Sequence, residues 1–97
     1  MPSKGFLARL VAKPGKEADL AALLESARAL ALAEEGTVTW YAFQVDAATF
    51  GIFDTFDTED ARQAHINGEI AKALMQAAPD LLAEDPDIRP VDVLAAK

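Results

Sequence analysis

The only histidine of the chain, His65, follows a strand-like segment that carries a carboxylate, Asp54. Histidine is the side chain that titrates near neutral pH, so it is the first candidate for a base or a hydrogen-bond donor. Residues 50–68 lead from a strand into a capped helix and place His65 on the inner face of that helix. The two residues predict a site for proton transfer, with both side chains in catalytic roles.

Each member of this pair also has a structural interpretation. His65 could be a core histidine whose ring is satisfied by a backbone carbonyl or a carboxylate. A carboxylate within a strand is costly unless it is paired. Asp54 could therefore orient His65 or contact a substrate, but it could equally pair with Arg9, Arg62 or a residue of a second subunit.

Aromatic side chains in the strand-like segments could line a pocket for a planar ligand. Trp40 is the best candidate because its indole N–H needs a partner when buried, and Phe43 and Phe53 are further candidates. The same residues could be ordinary core. Asn67 could donate to a substrate oxygen, or it could serve the helix end just before Gly68.

Composition argues against several other classes of function. The absence of cysteine excludes disulfides, cysteine-bound iron–sulfur clusters and thiol nucleophiles. No glycine-rich phosphate loop follows a strand, and one histidine among scattered acids is a poor metal site, so we expect neither cofactor nor metal. A net charge of −7 disfavours binding to nucleic acid or to an anionic membrane. With no apolar run of about 20 residues and no visible leader, the sequence predicts a cytoplasmic protein.

Hydrophobic periodicity divides the chain into four strand-like segments and two helical segments, the second of which is interrupted at Gly68. The predicted strands are residues 5–13, 38–45, 49–56 and 88–95. The predicted helices are residues 16–35 and then 57–67 with 69–78. The order β-α-β-β-α-β predicts an α+β, ferredoxin-like fold with a four-stranded antiparallel sheet, formed by one domain over residues 1–97.

Particular residues predict where these elements begin and end. Gly36 is expected to be a left-handed cap after the first helix, and Asp57 is the expected N-cap of the second. Pro79 is expected to stop the last helix. Pro90 within the last strand indicates the edge of the sheet.

The apolar character of both sheet faces predicts a homodimer. In this fold the helices cover one face, and neither alternating set of strand residues is polar. One set comprises Leu7, Val11, Tyr41, Phe43 and Val45. Both faces of residues 38–45 are therefore expected to be buried, with the second covered by sheet-to-sheet packing of two copies.

Two short motifs make the chain resemble the antibiotic biosynthesis monooxygenase family of dimeric α+β barrel proteins. Residues 52–56 read IFDTF and residues 61–65 read ARQAH. Members of that family commonly carry a strand carboxylate, an aromatic residue two positions later and a histidine on the following helix. Asp54 stands where Glu is more usual, and Phe56 stands where Trp or Tyr is frequent.

The resemblance implies a cofactor-independent monooxygenase that oxidises a small aromatic hydroxy compound, of quinol, phenol or anthrone type, with molecular oxygen. His65 would polarise or deprotonate the substrate, Asp54 would orient it or balance its charge, and Trp40 with nearby phenylalanines would stack on its ring. Haem degradation, known in the same superfamily, is not expected because Ala8, His65 and Met75 occupy the positions of its Asn, Trp and His.

Two alternatives to oxygenation stay open. The first is a non-catalytic dimer that acts in stress response or binds a small apolar ligand. The second is another reaction that uses the same base without oxygen, such as isomerisation or dehydration.

Overall fold

Four strands and three helices follow one another in the structure, a computed structural model that describes residues 1–97. The strands are β1 Lys4–Val11, β2 Thr37–Gln44, β3 Thr49–Phe56 and β4 Asp87–Asp92. The helices are α1 Glu17–Ala33, α2 Glu59–Ile66 and α3 Glu69–Leu81. Helices α2 and α3 are the two parts of the predicted interrupted helix, so the predicted ferredoxin-like α+β fold is confirmed. None of the helices is both long enough and apolar enough to cross a membrane.

The sheet is antiparallel with the strand order β2-β3-β1-β4. Strands β3 and β1 are central, and the register places Asp54 opposite Phe6 on one side and Trp40 on the other. Strand β4 lies at the edge, which confirms the position predicted from Pro90. A proline is tolerated there because an edge strand need not donate every backbone N–H.

The core lies between the helices and one face of the sheet. Strand β1 contributes Phe6, Ala8 and Leu10 to this face, and Ala12 follows directly after the strand; all four are buried. Of these, the last three pack with apolar residues of β3 and of helices α1 and α3, namely Phe50, Ile52, Leu20, Leu24 and Leu74. The period-two pattern of β1 separates its two faces, and the structure shows which of them is buried.

The other face of the sheet is open in the single chain. Leu7, Tyr41, Phe43 and Val45 are 44%, 60%, 40% and 67% exposed. The three helices all pack on the same face, so a single chain leaves the second face of residues 38–45 exposed, and its burial between two copies stays a prediction. The open face is defined here by these four residues.

The helix that carries His65 begins one residue later than predicted. Thr58, not Asp57, is the N-cap of α2, and its hydroxyl accepts a hydrogen bond from the backbone N–H of Ala61 at 3.1 Å. Threonine competes well with aspartate for this role, so residue type alone did not separate the two positions.

Two predicted helix ends are also wrong. Helix α1 ends at Ala33 and the backbone of Glu34 is already extended, so Gly36 is not a left-handed cap. Helix α3 continues through Pro79 to Leu81. Pro79 has no N–H to donate to the carbonyl of Met75, but the helix continues past it, and its end is held by the backbone N–H of Lys13, which donates to the carbonyl of Leu81.

Candidate functional site

Strand β3 and helix α2 bring Asp54 and His65 into direct contact. Asp54 projects from the middle of the sheet toward the helices and is only 1% exposed, while His65 is 7% exposed. The Nε2 atom of His65 lies 2.9 Å from Oδ2 of Asp54. Of the partners considered for Asp54 from the sequence, the structure therefore selects the histidine.

The two arginines considered as partners of Asp54 bind elsewhere. Arg9 donates to Glu84 at 2.8 Å on the surface. Arg62 forms an ion pair with Glu59 at 2.6 Å and donates to backbone carbonyls near the sheet edge. The only cationic group in contact with Asp54 is thus the ring of His65.

A second carboxylate, that of Glu34, binds the other side of the histidine ring. Glu34 Oε1 lies 2.6 Å from Nδ1 of His65 and also accepts a hydrogen bond from the Thr37 hydroxyl at 2.6 Å. Sequence reasoning missed this residue. The available signal was a carboxylate just beyond a helix C-terminus, where the helix dipole disfavours negative charge and a specific partner is needed.

The two carboxylates determine the charge of His65. Burial lowers the pKa of the ring, but the hydrogen bonds and charges of Asp54 and Glu34 outweigh burial, and the net effect raises the pKa above its ordinary value. In the protonated ring, each N–H is directed at one of the two carboxylates. The rings of Phe6 and Phe56 pack beside the imidazole, with centroids 6.4 Å and 5.1 Å away.

His65 separates two cavities of different character. On the Asp54 side is a cavity of about 30 Å³ with mainly apolar walls, formed by β1, β3, α2, α3 and Ile88. On the Glu34 side is a cleft of about 280 Å³, lined by the turn after α1 and by α2. We call these the inner cavity and the outer cleft. Both are lined by His65.

One oxygen of Asp54 has no partner. Its Oδ1 atom is buried and makes no hydrogen bond, although Asp54 lines the inner cavity. Buried polar atoms are normally paired, and an exception calls for an explanation. A carboxylate oxygen in this state can accept a hydrogen bond from a donor group that enters the inner cavity.

Trp40 shares the helix-covered face with Asp54 but does not line the inner cavity. It packs against the core, and its Nε1 is buried without a partner. It instead forms a wall of a separate pocket of about 180 Å³, together with Arg28, Thr37 and Thr39.

The other three predicted substrate contacts are not brought to the Asp54–His65 pair. Phe53 stands opposite Leu7 and points to the open face, and the ring of Phe43 covers Gly51 on that same face. Asn67 caps the end of α2, and its side-chain amide donates to the carbonyl of Gln63 at 3.0 Å. The structure thus shows for Asn67 the helix-end contact that was its alternative interpretation.

The acidic residues do not converge on one point. Asp54 and Glu34 bind different nitrogens of the same ring, and no group of three or more histidine or acidic side chains is arranged to hold a metal ion. The arrangement is suited to holding and moving protons.

Solved structures show what this chain is similar to. A protein of unknown function from Nitrosomonas europaea is 52% identical and superposes with a TM-score of 0.97, with 100% of this chain and 94% of that chain covered. No protein-family model and no curated protein matches the chain.

More distant structures connect the fold to named proteins. A "Putative antibiotic biosynthesis monooxygenase" from Nitrosomonas europaea superposes with a TM-score of 0.84 at 15% identity, covering 95% of this chain and 99% of that chain. A protein of the same description from Caulobacter crescentus gives 0.82 at 21% identity, covering 97% and 92%. The predicted resemblance is thereby confirmed at the level of the fold. The chain belongs to the family of the Nitrosomonas europaea protein of unknown function, and it has the ferredoxin-like α+β fold of these monooxygenase-named proteins.

Proposed function

We propose that this protein is a cofactor-independent monooxygenase that oxidises a small aromatic hydroxy compound, of quinol, phenol or anthrone type, with molecular oxygen. The observation that supports it most is the unpaired Oδ1 of Asp54, which lies at an apolar cavity while Oδ2 of the same carboxylate contacts His65. The fold shared with proteins named as monooxygenases supports the reaction class.

The first step is removal of the hydroxyl proton. The substrate hydroxyl donates to Asp54, and the positive charge of His65 stabilises the phenolate that forms. Both ring nitrogens of His65 are engaged by carboxylates, so Asp54 rather than His65 offers the free lone pair. The roles predicted from the sequence are therefore exchanged in this proposal: Asp54 is the base, and His65 balances the charge. Apolar walls strengthen these electrostatic interactions by excluding water.

The oxygen chemistry needs no external reductant. The phenolate passes one electron to O₂, and the resulting pair of radicals combines to form a C–O bond at a ring carbon that carries hydrogen. Asp54 gives its proton to the peroxide anion, and then accepts the C–H proton of the hydroperoxide as the O–O bond breaks, which produces a carbonyl and hydroxide. One atom of O₂ enters the product, the other becomes water, and all four electrons come from the substrate. Asp54 can return its proton to the departing hydroxide.

Substrate entry requires the inner cavity to expand. At about 30 Å³ the cavity exceeds the ~10–15 Å³ needed for one water molecule, but it does not hold an aromatic ring. Its helical wall consists of Ile66, Ile70, Ala71 and Leu74, from α2 and α3 on either side of Gly68. We propose that the ring enters by displacing this wall.

We further propose that two copies form a homodimer through their open faces. Leu7, Tyr41, Phe43 and Val45 give this face an apolar surface of a kind that single soluble domains seldom leave uncovered. Because each copy would present the same face, the interface would be isologous. In this arrangement Phe43 and Phe53 belong to the interface and not to the substrate pocket.

A non-catalytic role is the second candidate, as a dimeric stress-response or small apolar ligand-binding protein. The small size of the inner cavity favours it, as does the pairing of both His65 nitrogens, because a buried ion pair can be purely structural.

Oxygen uptake by metal-stripped protein tests the proposal. The substrates are a panel of quinols, naphthoquinols and anthrones, and the variants are Asp54→Asn, His65→Ala and the exposed control Gln63→Ala. We expect uptake by the wild type and by Gln63→Ala, with a loss of about 10²–10⁴-fold in Asp54→Asn. Uptake that is equal in Asp54→Asn and wild type would overturn the proposed site. Turnover without oxygen would identify an isomerase or dehydratase instead, and no turnover of the panel would favour the non-catalytic candidate.

A further inference from the structure

Glu34 occupies a position that the proposed reaction does not yet use. It lies at the end of α1, on the solvent side of His65, and its side chain is 21% exposed whereas those of His65 and Asp54 are 7% and 2% exposed. It does not line the inner cavity, so it cannot touch a substrate bound there. Glu34 can therefore influence the proposed reaction only through its contact with the ring of His65.

The geometry around Glu34 fixes one proton of His65. Glu34 Oε1 accepts from Nδ1 at 2.6 Å, a short contact consistent with the shortening of hydrogen bonds between charged groups. The Thr37 hydroxyl donates to the same oxygen and holds the carboxylate in place. With Nδ1 protonated and bound to Glu34, the opposite nitrogen is directed at Asp54, 2.9 Å away.

We propose that Glu34 is a positioning residue that holds His65 in its doubly protonated, cationic form beside the inner cavity. This inference rests on the proposed function and deepens it: the positive ring is what stabilises the phenolate and the reduced oxygen species in an apolar space. With a neutral imidazole, the negative charge that passes from Asp54 to the substrate on proton transfer would have no counter-charge beside it, which is unfavourable at low dielectric.

No other charged group near His65 can take this role. Asp54 contacts the ring from β3, but it binds Nε2 on the side of the inner cavity and not Nδ1. Arg62 lies on the same helix as His65, but its guanidinium is bound to Glu59 and to the backbone carbonyls of Gly5 and Val91. Glu35 lines the outer cleft but makes no hydrogen bond to the ring. No charged residue of β1 or α3 lines either cavity.

The test uses the fact that the chain has one histidine, so its ring signals in NMR spectra are unambiguous. The ring is titrated in wild type, Glu34→Gln, Glu34→Asp and the control Glu35→Gln, which removes the same charge from the adjacent exposed position. We expect the His65 pKa to fall in Glu34→Gln, to fall less in Glu34→Asp, and to stay near wild type in Glu35→Gln. If Glu34→Gln titrates like wild type, or if both glutamine variants shift equally, the inference is wrong. Should Glu34→Gln fail to fold, Glu34→Asp against Glu35→Gln decides the question in the same way.

Kinetics with any substrate that supports oxygen uptake provide the second readout. In Glu34→Gln we expect kcat to fall about 10–100-fold with little change in KM, and the alkaline limb of the pH profile to move to lower pH. An unmoved alkaline limb would contradict the inference. The NMR titration needs no substrate, so a shifted titration without oxygen uptake would refute the oxygenase proposal while supporting the role of Glu34 in setting the charge of His65.

Discussion

His65 Nε2 lies 2.9 Å from Asp54 Oδ2, and this contact joins helix α2 to the centre of the sheet. The two residues are 7% and 1% exposed, so the ion pair is shielded from water. Both the stability of the fold and the proposed chemistry depend on it.

Removal of the ring should destabilise the protein strongly. His65→Ala leaves Asp54 buried without a counter-charge, and breaking a buried pair in this way typically costs about 3–5 kcal/mol. Urea denaturation at pH 7 measures the loss. The control Gln63→Ala, on the exposed side of the same helix, should change stability by about 0.5 kcal/mol or less. Equal losses in the two variants would show that the ion pair contributes nothing specific.

The stability of the wild-type protein should depend on pH in a defined direction. The pKa of His65 is raised in the folded state, so the folded protein keeps a proton that the unfolded chain releases above its ordinary value of 6.5. The contribution is fully present below pH 6.5 and is lost as the pH rises through the folded pKa. Unfolding free energies measured from pH 6 to 9 should therefore fall with rising pH. In His65→Ala this fall should be absent, and a wild-type profile that rises over the same range would contradict the assignment.

The sequence predicts the strands and helices that carry the site better than it predicts the side-chain contacts within the site. The alternation of β1 separates its two faces, and the strand-to-helix motif singles out Asp54 and His65 as candidate partners, because both signals are local. Glu34 was missed because its partner is 31 positions away and depends on how the end of α1 packs against α2.

Local chemistry also explains the other differences between prediction and structure. Nothing in the local sequence around Phe43 and Phe53 indicates whether their aromatic side chains line a pocket or lie on the open face. Pro79 is expected to end α3, but a proline removes only the hydrogen bond to the carbonyl four residues before it, and the helix continues to Leu81, whose carbonyl is bound by Lys13.

Gly36 should be needed for the position of α2. A Cβ at this position would lie 2.8 Å from the Cβ of Ala61, which is closer than carbon atoms approach. Gly36→Ala should therefore push α2 away from the turn that holds Glu34, at a cost of about 1–3 kcal/mol. Thermal denaturation measures the cost, and NMR should show a lowered His65 pKa because the contact with Glu34 lengthens. Gly15→Ala is a contrasting control, since φ is +86° there and a side chain meets no atom but strains the backbone.

The proposed dimer predicts how charged substitutions in the open face should change the molecular mass of the protein in solution. Tyr41→Glu combined with Phe43→Glu places four like charges in an isologous interface and should convert the dimer to a monomer of 10.3 kDa. Light scattering coupled to size-exclusion chromatography measures the change. Met75→Glu, at an exposed position of α3 on the helical side, should leave the mass unchanged. A wild-type protein that is already monomeric at high concentration would refute the proposed interface.

The most direct test of the central claim is to follow the oxygen atoms with ¹⁸O₂. A substrate from the quinol, naphthoquinol and anthrone panel is oxidised by metal-stripped protein, with Asp54→Asn as the comparison. The account predicts one ¹⁸O atom in each product molecule, one O₂ consumed per turnover without added reductant, and a rate in Asp54→Asn that is lower by about 10²–10⁴-fold. Product that carries only solvent oxygen, or labelling that proceeds equally well in Asp54→Asn, would contradict it.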